Sequence, residues 1–162
     1  MRTITQDLLD TLLQEAAQSP RRRTMYRLHE HHEPVQRMVN AMLPGSYAPP
    51  HKHEQPDKVE LFAALMGRAA CLHFHDDGSL RDIIIVEAQG TVRAVDIPAR
   101  VYHSVVALTP CALLEIIQGP YDAATHKKFP AWAPGEADPQ AAAYLRRLEA
   151  QIAKALSDLT DQ

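Results

Sequence analysis

The chain is poor in the residues that mark several large classes of protein. Aromatic residues make up 6% of its 162 positions, and Trp132 is the single tryptophan, so platforms on which bases stack are scarce. It has no basic excess: Lys plus Arg number 17 against 20 Asp plus Glu, a formal charge of −3. A general nucleic-acid partner is therefore not expected. No apolar run approaches the roughly 18 residues of a spanning helix, which argues against a membrane partner. The opening residues, Met1–Asp7, contain neither an apolar core of signal-peptide length nor a lipidation motif. A cytoplasmic location is the expectation. Two cysteines, Cys71 and Cys111, both sit in apolar runs and read as buried free thiols. Histidine, by contrast, is plentiful at nine residues, and it serves metal ligation and proton transfer.

The length fits one domain, and 46% hydrophobic with 23% charged residues fits a globular chain. Thr3 and Gln6 have capping-box spacing. Leu8, Leu9, Leu12, Leu13 and Ala16 form one apolar stripe, predicting a helix over about 4–18 that stops at Ser19-Pro20. Arg21–Arg23 and the His-rich stretch Leu28–Pro34 read as a basic run and a polar loop. From 35 to about 118, short apolar segments recur: Val35–Leu43, Lys58–Met66, Ala69–His75, Arg81–Glu87, Val92–Ile97, Tyr102–Leu108 and Cys111–Gln118. Asp77-Gly78 is a hairpin signal. Seven strands without intervening helices predict a sandwich or closed barrel, and no βαβ alternation supports a doubly wound fold. After a Pro-rich stretch, Asp138 as N-cap and Pro139 at the first helical position predict a second helix over about 139–159. Its stripe of Leu145, Leu148, Ile152, Ala155 and Leu159 docks on the β body or on a partner chain.

The chemistry concentrates between Gly45 and His103. His51 and His53 are two apart, so an extended backbone turns both imidazoles to one side. Glu60 opens the next strand and adds a carboxylate, and His103 starts another. Three imidazoles and one carboxylate suit iron, nickel, manganese, zinc or copper, with coordination positions left for water or substrate.

Gly45, His51, His53, Glu60 and Gly67 resemble the first motif of the cupin superfamily, Gly-x5-His-x-His-x3,4-Glu-x6-Gly. Six residues separate His53 from Glu60, two or three more than usual, and Glu54 is a weaker substitute carboxylate. The second motif, Gly-x5-Pro-x-Gly-x2-His-x3-Asn, is matched at Pro98 and His103. Gly90 lies two residues too far away, Arg100 stands at the inner glycine and Ala107 at the final asparagine. Pro20–Arg23, Leu28-His29, Val35–Arg37, Asp57–Phe62, Gly119–Asp122 and Phe129–Pro134 resemble the WbuC-type cupin-fold metalloproteins, bacterial proteins often associated with O-antigen or polysaccharide gene clusters. The resemblance implies a single mainly β cupin domain over 1–162. Its double-stranded β-helix (jelly-roll) barrel would span about 35–118, between the two helices. It also implies one divalent transition metal ion per chain (iron, nickel, zinc or manganese), and by analogy a homodimer.

Other residues carry weaker expectations. His73 and His75 alternate with Leu72 and Phe74 and read as solvent-facing; His126, beside Lys127 and Lys128, reads as solvated. Lys58, Tyr47, Tyr102, Arg100 and His29 are candidates for contact with a small-molecule substrate, and Arg21–Arg23 for an anionic group. Three functions compete. The first is a metal-dependent isomerase, lyase or dioxygenase on a small polar molecule, such as a sugar or its nucleotide conjugate. The second is a metal-independent sugar epimerase using a His base and a Tyr acid. The third is a non-catalytic binding or regulatory module.

Overall fold

The computed structural model describes residues 1–160, with side chains described through 158. Helix α1 spans Gln6–Gln18. Its N-cap is Thr5, not Thr3: Thr5 is extended, and its hydroxyl accepts from the Leu8 N–H at 3.3 Å. Ser19 ends the helix by returning its N–H to the carbonyls of Glu15 and Ala16.

Eight strands follow: β1 (Arg23–Arg27), β2 (Val35–Met42), β3 (Glu60–Met66), β4 (Arg68–Phe74), β5 (Leu80–Glu87), β6 (Ala94–Ile97), β7 (Tyr102–Ala107) and β8 (Cys111–Gln118). They form two antiparallel sheets, ordered β1-β2-β8-β3-β6 and β5-β4-β7. Strand β1 starts at the last residue of the basic run and continues through Thr24–Arg27, where the sequence predicts no element. It lacks apolar alternation, and pairing with β2, from Arg23↔Met42 to Arg27↔Met38, makes it a strand. The closed barrel is corrected as well. The edge strands β5 and β6 share no ladder, because β6 is four residues long and pairs with β3. The result is an open, jelly-roll-like pair of sheets.

Each sheet is covered on its outer face by a helix. Leu9, Leu12 and Ala16 of α1 pack on Val39, Ala41 and Ala112. Helix α2 (Ala141–Thr160) lays Tyr144, Leu145, Leu148 and Ile152 on Ala70, Leu72, Phe74 and Val106. The C-terminal stripe therefore docks within its own chain; the Leu159 side chain lies outside the described residues. Asp138 shapes a turn just before this helix, its side chain accepting from the Gln140 N–H at 2.8 Å. Helical structure begins at Ala141, two residues after Pro139. With both faces covered, strands β4 and β7 are buried along nearly their whole length, and each fully buried Leu or Phe stabilises by about 1.5–3 kcal/mol. The β3–β4 reversal needs its glycine: Gly67 has φ +68°, and a Cβ there would meet the Pro110 carbonyl oxygen at 2.1 Å. No helix among the described residues is long and apolar enough to cross a membrane.

Candidate metal centre

The inner faces of the sheets are apolar at one end and polar at the other. The polar end is assembled by backbone pairing. His51 donates its N–H to the His103 carbonyl at 3.0 Å, and His103 returns its own to the His51 carbonyl at 2.9 Å. Lys52, between the two histidines, turns the other way and sets its ammonium 4.5 Å from the Tyr102 ring centre. The additional residues after His53 are absorbed in a turn over 54–57, where Gln55 takes φ +69°. Strand β3 then begins at Glu60, opposite Ile97 and Ile117. Glu54 is not part of the cluster; it pairs with Lys52 at 2.9 Å and with Lys128.

His51, His53, Glu60 and His103 converge, none more than 7% exposed. Their ligand atoms all lie within 4.8 Å of one another. In each histidine Nδ1 faces a backbone carbonyl: Pro49 for His51 (3.0 Å), His126 for His53 (2.5 Å) and Val101 for His103 (2.9 Å). A carbonyl only accepts, so each Nδ1 carries the proton and each neutral ring turns an acceptor Nε2 into the cluster. Nε2 of His103 lies 2.9 Å, and Nε2 of His53 3.2 Å, from the same Glu60 Oε2. Nε2 of His51 and of His103 are buried without an aligned hydrogen-bond partner among the described residues. Acceptors thus face acceptors, an arrangement that needs positive charge at its centre, from protons or from a cation. The donor set and its spacing are consistent with a single divalent metal site.

The electrostatics agree. Burial, helped by repulsion from Lys127 and His103, holds the His51 imidazole well below its ordinary value. Burial opposes ionisation of Glu60, but the adjoining His103 and His53 rings outweigh it and hold the carboxyl well below the usual range. Above the cluster opens a cavity of about 700 Å³. It is walled by the inward residues of β1 and β2 and by residues 121–129. On its wall, Glu115 of β8 accepts from Asn40 Nδ2 at 2.6 Å. Burial, then repulsion from Glu60, pushes this second carboxyl up to about 8, which favours its protonated form.

A sequence model of the family described as "Domain of unknown function (DUF6016)" matches residues 4–86. The chain belongs to that family. The DUF6016 match includes His51, His53 and Glu60, whereas His103 and Glu115 lie beyond it. No curated protein matches the chain. Among solved structures it is similar to the capsular polysaccharide assembling protein CapF from Staphylococcus aureus, at 22% identity and a TM-score of 0.52. That match covers 65% of this chain and 31% of that one. It is also similar to a cupin superfamily protein from Desulfitobacterium hafniense (14% identity, 59% and 76% of the two chains, TM-score 0.48). An RmlC-like cupin protein from Desulfovibrio desulfuricans gives 20% identity, 59% and 81% coverage, and a TM-score of 0.46. At such identities, the CapF likeness speaks for the fold alone.

In this DUF6016 chain the remaining candidate residues scatter. His29 lines the cavity, its Nδ1 against the Arg37 backbone. Tyr47 instead gives its hydroxyl to the Pro134 carbonyl at 2.7 Å and packs against α2. Tyr102 joins the same outer core. Lys58 is buried and donates to the Pro120 carbonyl at 2.6 Å. Arg100 pairs with Asp57 on the exterior. His73 pairs with Asp82 at 2.9 Å, apart from the cluster. Cys71 and Cys111 are free and buried, and burial pushes both thiols up to about 12. His126 is not a solvated residue. Its ring lies 5.0 Å from that of His53, and burial, then repulsion from His53 and Lys127, holds it down to about 3. Glu115 was detectable in the sequence as a lone carboxylate inside the apolar run Leu113–Ile117; His126 and Lys127 carry no such signal.

Proposed function

We propose that this chain is a cupin-type metalloenzyme in which His51, His53, Glu60 and His103 hold one divalent transition metal ion, of iron, nickel, zinc or manganese. The observation that carries the reading is the convergence of three backbone-oriented Nε2 atoms on one buried carboxylate, at the floor of a small-molecule-sized cavity. A bound ion supplies Lewis-acid chemistry, polarising a carbonyl or lowering the pKa of a bound water. The chain supplies the rest. Asn40 fixes Glu115 beside the cluster, where its carboxyl can exchange a proton with a substrate oxygen. The segment 121–129 shields the cluster from water on one side. We further propose a substrate of sugar or polysaccharide chemistry. Its supports are the resemblance to WbuC-type proteins and the similarity in fold to the Staphylococcus capsular polysaccharide assembling protein.

The test is elemental analysis of untagged protein prepared without chelator. Near-stoichiometric metal is expected in the wild type and in His73→Ala, and none in His51→Ala or His103→Ala. Metal lost from His73→Ala but kept in His51→Ala would overturn the site.

A further inference from the structure

The chain is net acidic, yet its cavity is lined by four cationic side chains: Arg21, Arg23, Arg27 and Lys127. Two of them are engaged. Arg21 Nε and Arg23 share the single carboxylate of Glu136, at 2.6 and 2.9 Å. The other two have no carboxylate partner among the described residues. Arg27 donates to the His31 ring, and Lys127 has no ion pair among the described residues. Lys127 lines the cavity between His126 and Phe129. Both side chains are exposed and both line the one concave site, where two unneutralised cations focus the field on an anion. The guanidinium fork and the ammonium both match carboxylate or phosphate oxygens.

Register sets the scale. Arg27 pairs with Met38, Met38 with Glu115, and Glu115 with Phe62. The Arg27 backbone is therefore three strand spacings, about 14 Å, from β3, where Glu60 sits. The arginine side chain covers part of that span.

Resting on the metal reading for one of its two anchor points, we propose that the cavity takes a polyhydroxylated small molecule bearing a phosphate or carboxylate. Lys127 and Arg27 bind the anion, and its hydroxyl or carbonyl oxygens face the His51–His53–Glu60–His103 cluster. The test is calorimetric titration of the metal-loaded full chain with glucose 1-phosphate, gluconate and uncharged glucose. It is repeated on Lys127→Gln, Arg27→Gln and, as a control outside the cavity, Lys128→Gln. At least one charged probe is expected to bind and glucose not. Kd should rise roughly tenfold or more in Lys127→Gln and Arg27→Gln at unchanged metal content, with Lys128→Gln as wild type. The charged probe that binds distinguishes phosphate from carboxylate. Glucose binding as tightly as the anions, no binding of either anion, or wild-type binding by both cavity variants would overturn the proposal. Anion binding through Lys127 and Arg27 by a chain that takes up no metal would sink the metal reading and leave this one standing. Metal uptake with indifference to charge would do the reverse.

Discussion

The two ends of the space between the sheets are built from the same strands and differ in almost everything else. At the closed end, Met42, Cys71, Val86, Ala107, Cys111 and Leu113 pack together, and the thiols are held neutral by burial. At the open end, the same inward positions carry polar groups. Two residues from Leu113 along β8 stands Glu115, two from Val105 along β7 stands His103, and two from Phe62 along β3 stands Glu60. Each step preserves the parity that points a side chain inward. A site of this kind needs only a change of residue type at fixed positions, with no change of backbone. The closed end supplies stability, and the open end spends some of it on burying charge and lone pairs.

Four perturbations sharpen the contrast. The largest effect belongs to the closed end. Leu113→Ala leaves a cavity among well-packed neighbours and is expected to cost about 2–5 kcal/mol in chemical denaturation, with the metal content of folded chains unchanged. Glu60→Gln at the open end is expected to act on the metal instead. It removes the one carboxylate of the converging set, so metal uptake measured by elemental analysis is lost, while the denaturation midpoint in chelator moves by less than in Leu113→Ala. Full metal content in the variant would refute this. Next comes His126→Gln. The His126 imidazole is held near 3, against an ordinary value of 6.5. Between those values the unfolded chain takes a proton that the folded chain refuses, so stability falls as pH drops below about 6.5. Denaturation midpoints of metal-free protein from pH 7 to 4 should fall less steeply in the variant. The smallest effect is at Arg100, which holds φ +67° where the cupin motif has glycine. Arg100→Gly relieves that left-handed backbone and loses only an exposed pair with Asp57. Its thermal midpoint should rise slightly, whereas that of Arg100→Val should fall.

Legibility in the sequence followed the strand period. His51, His53, Glu60 and His103 could be brought together on paper because alternation and motif spacing both point inward, and the turn at 54–57 absorbed the irregular spacing. Strand β1 was illegible, since Arg23, Thr24 and Tyr26 gain strand structure only from β2. Tyr47 and Tyr102 read as rim residues; they lie instead under α2, because a helix covers the outer face that a bare sheet would leave wet. His126 and Lys127 sit on an irregular segment whose return across the cavity is set by tertiary pairing, such as the two hydrogen bonds between Lys52 and Lys128. No local pattern encodes that.

The partners of the three Nδ1 atoms have a consequence for how such a site drifts. Pro49, Val101 and His126 contribute carbonyl oxygens, which every amino acid possesses. Imidazole orientation is thus inherited from the chain trace, and positions 49, 101 and 126 are free to vary in identity without loosening the cluster. Relatives can diverge widely around the four converging residues, and a search for accompanying side chains would find none to follow.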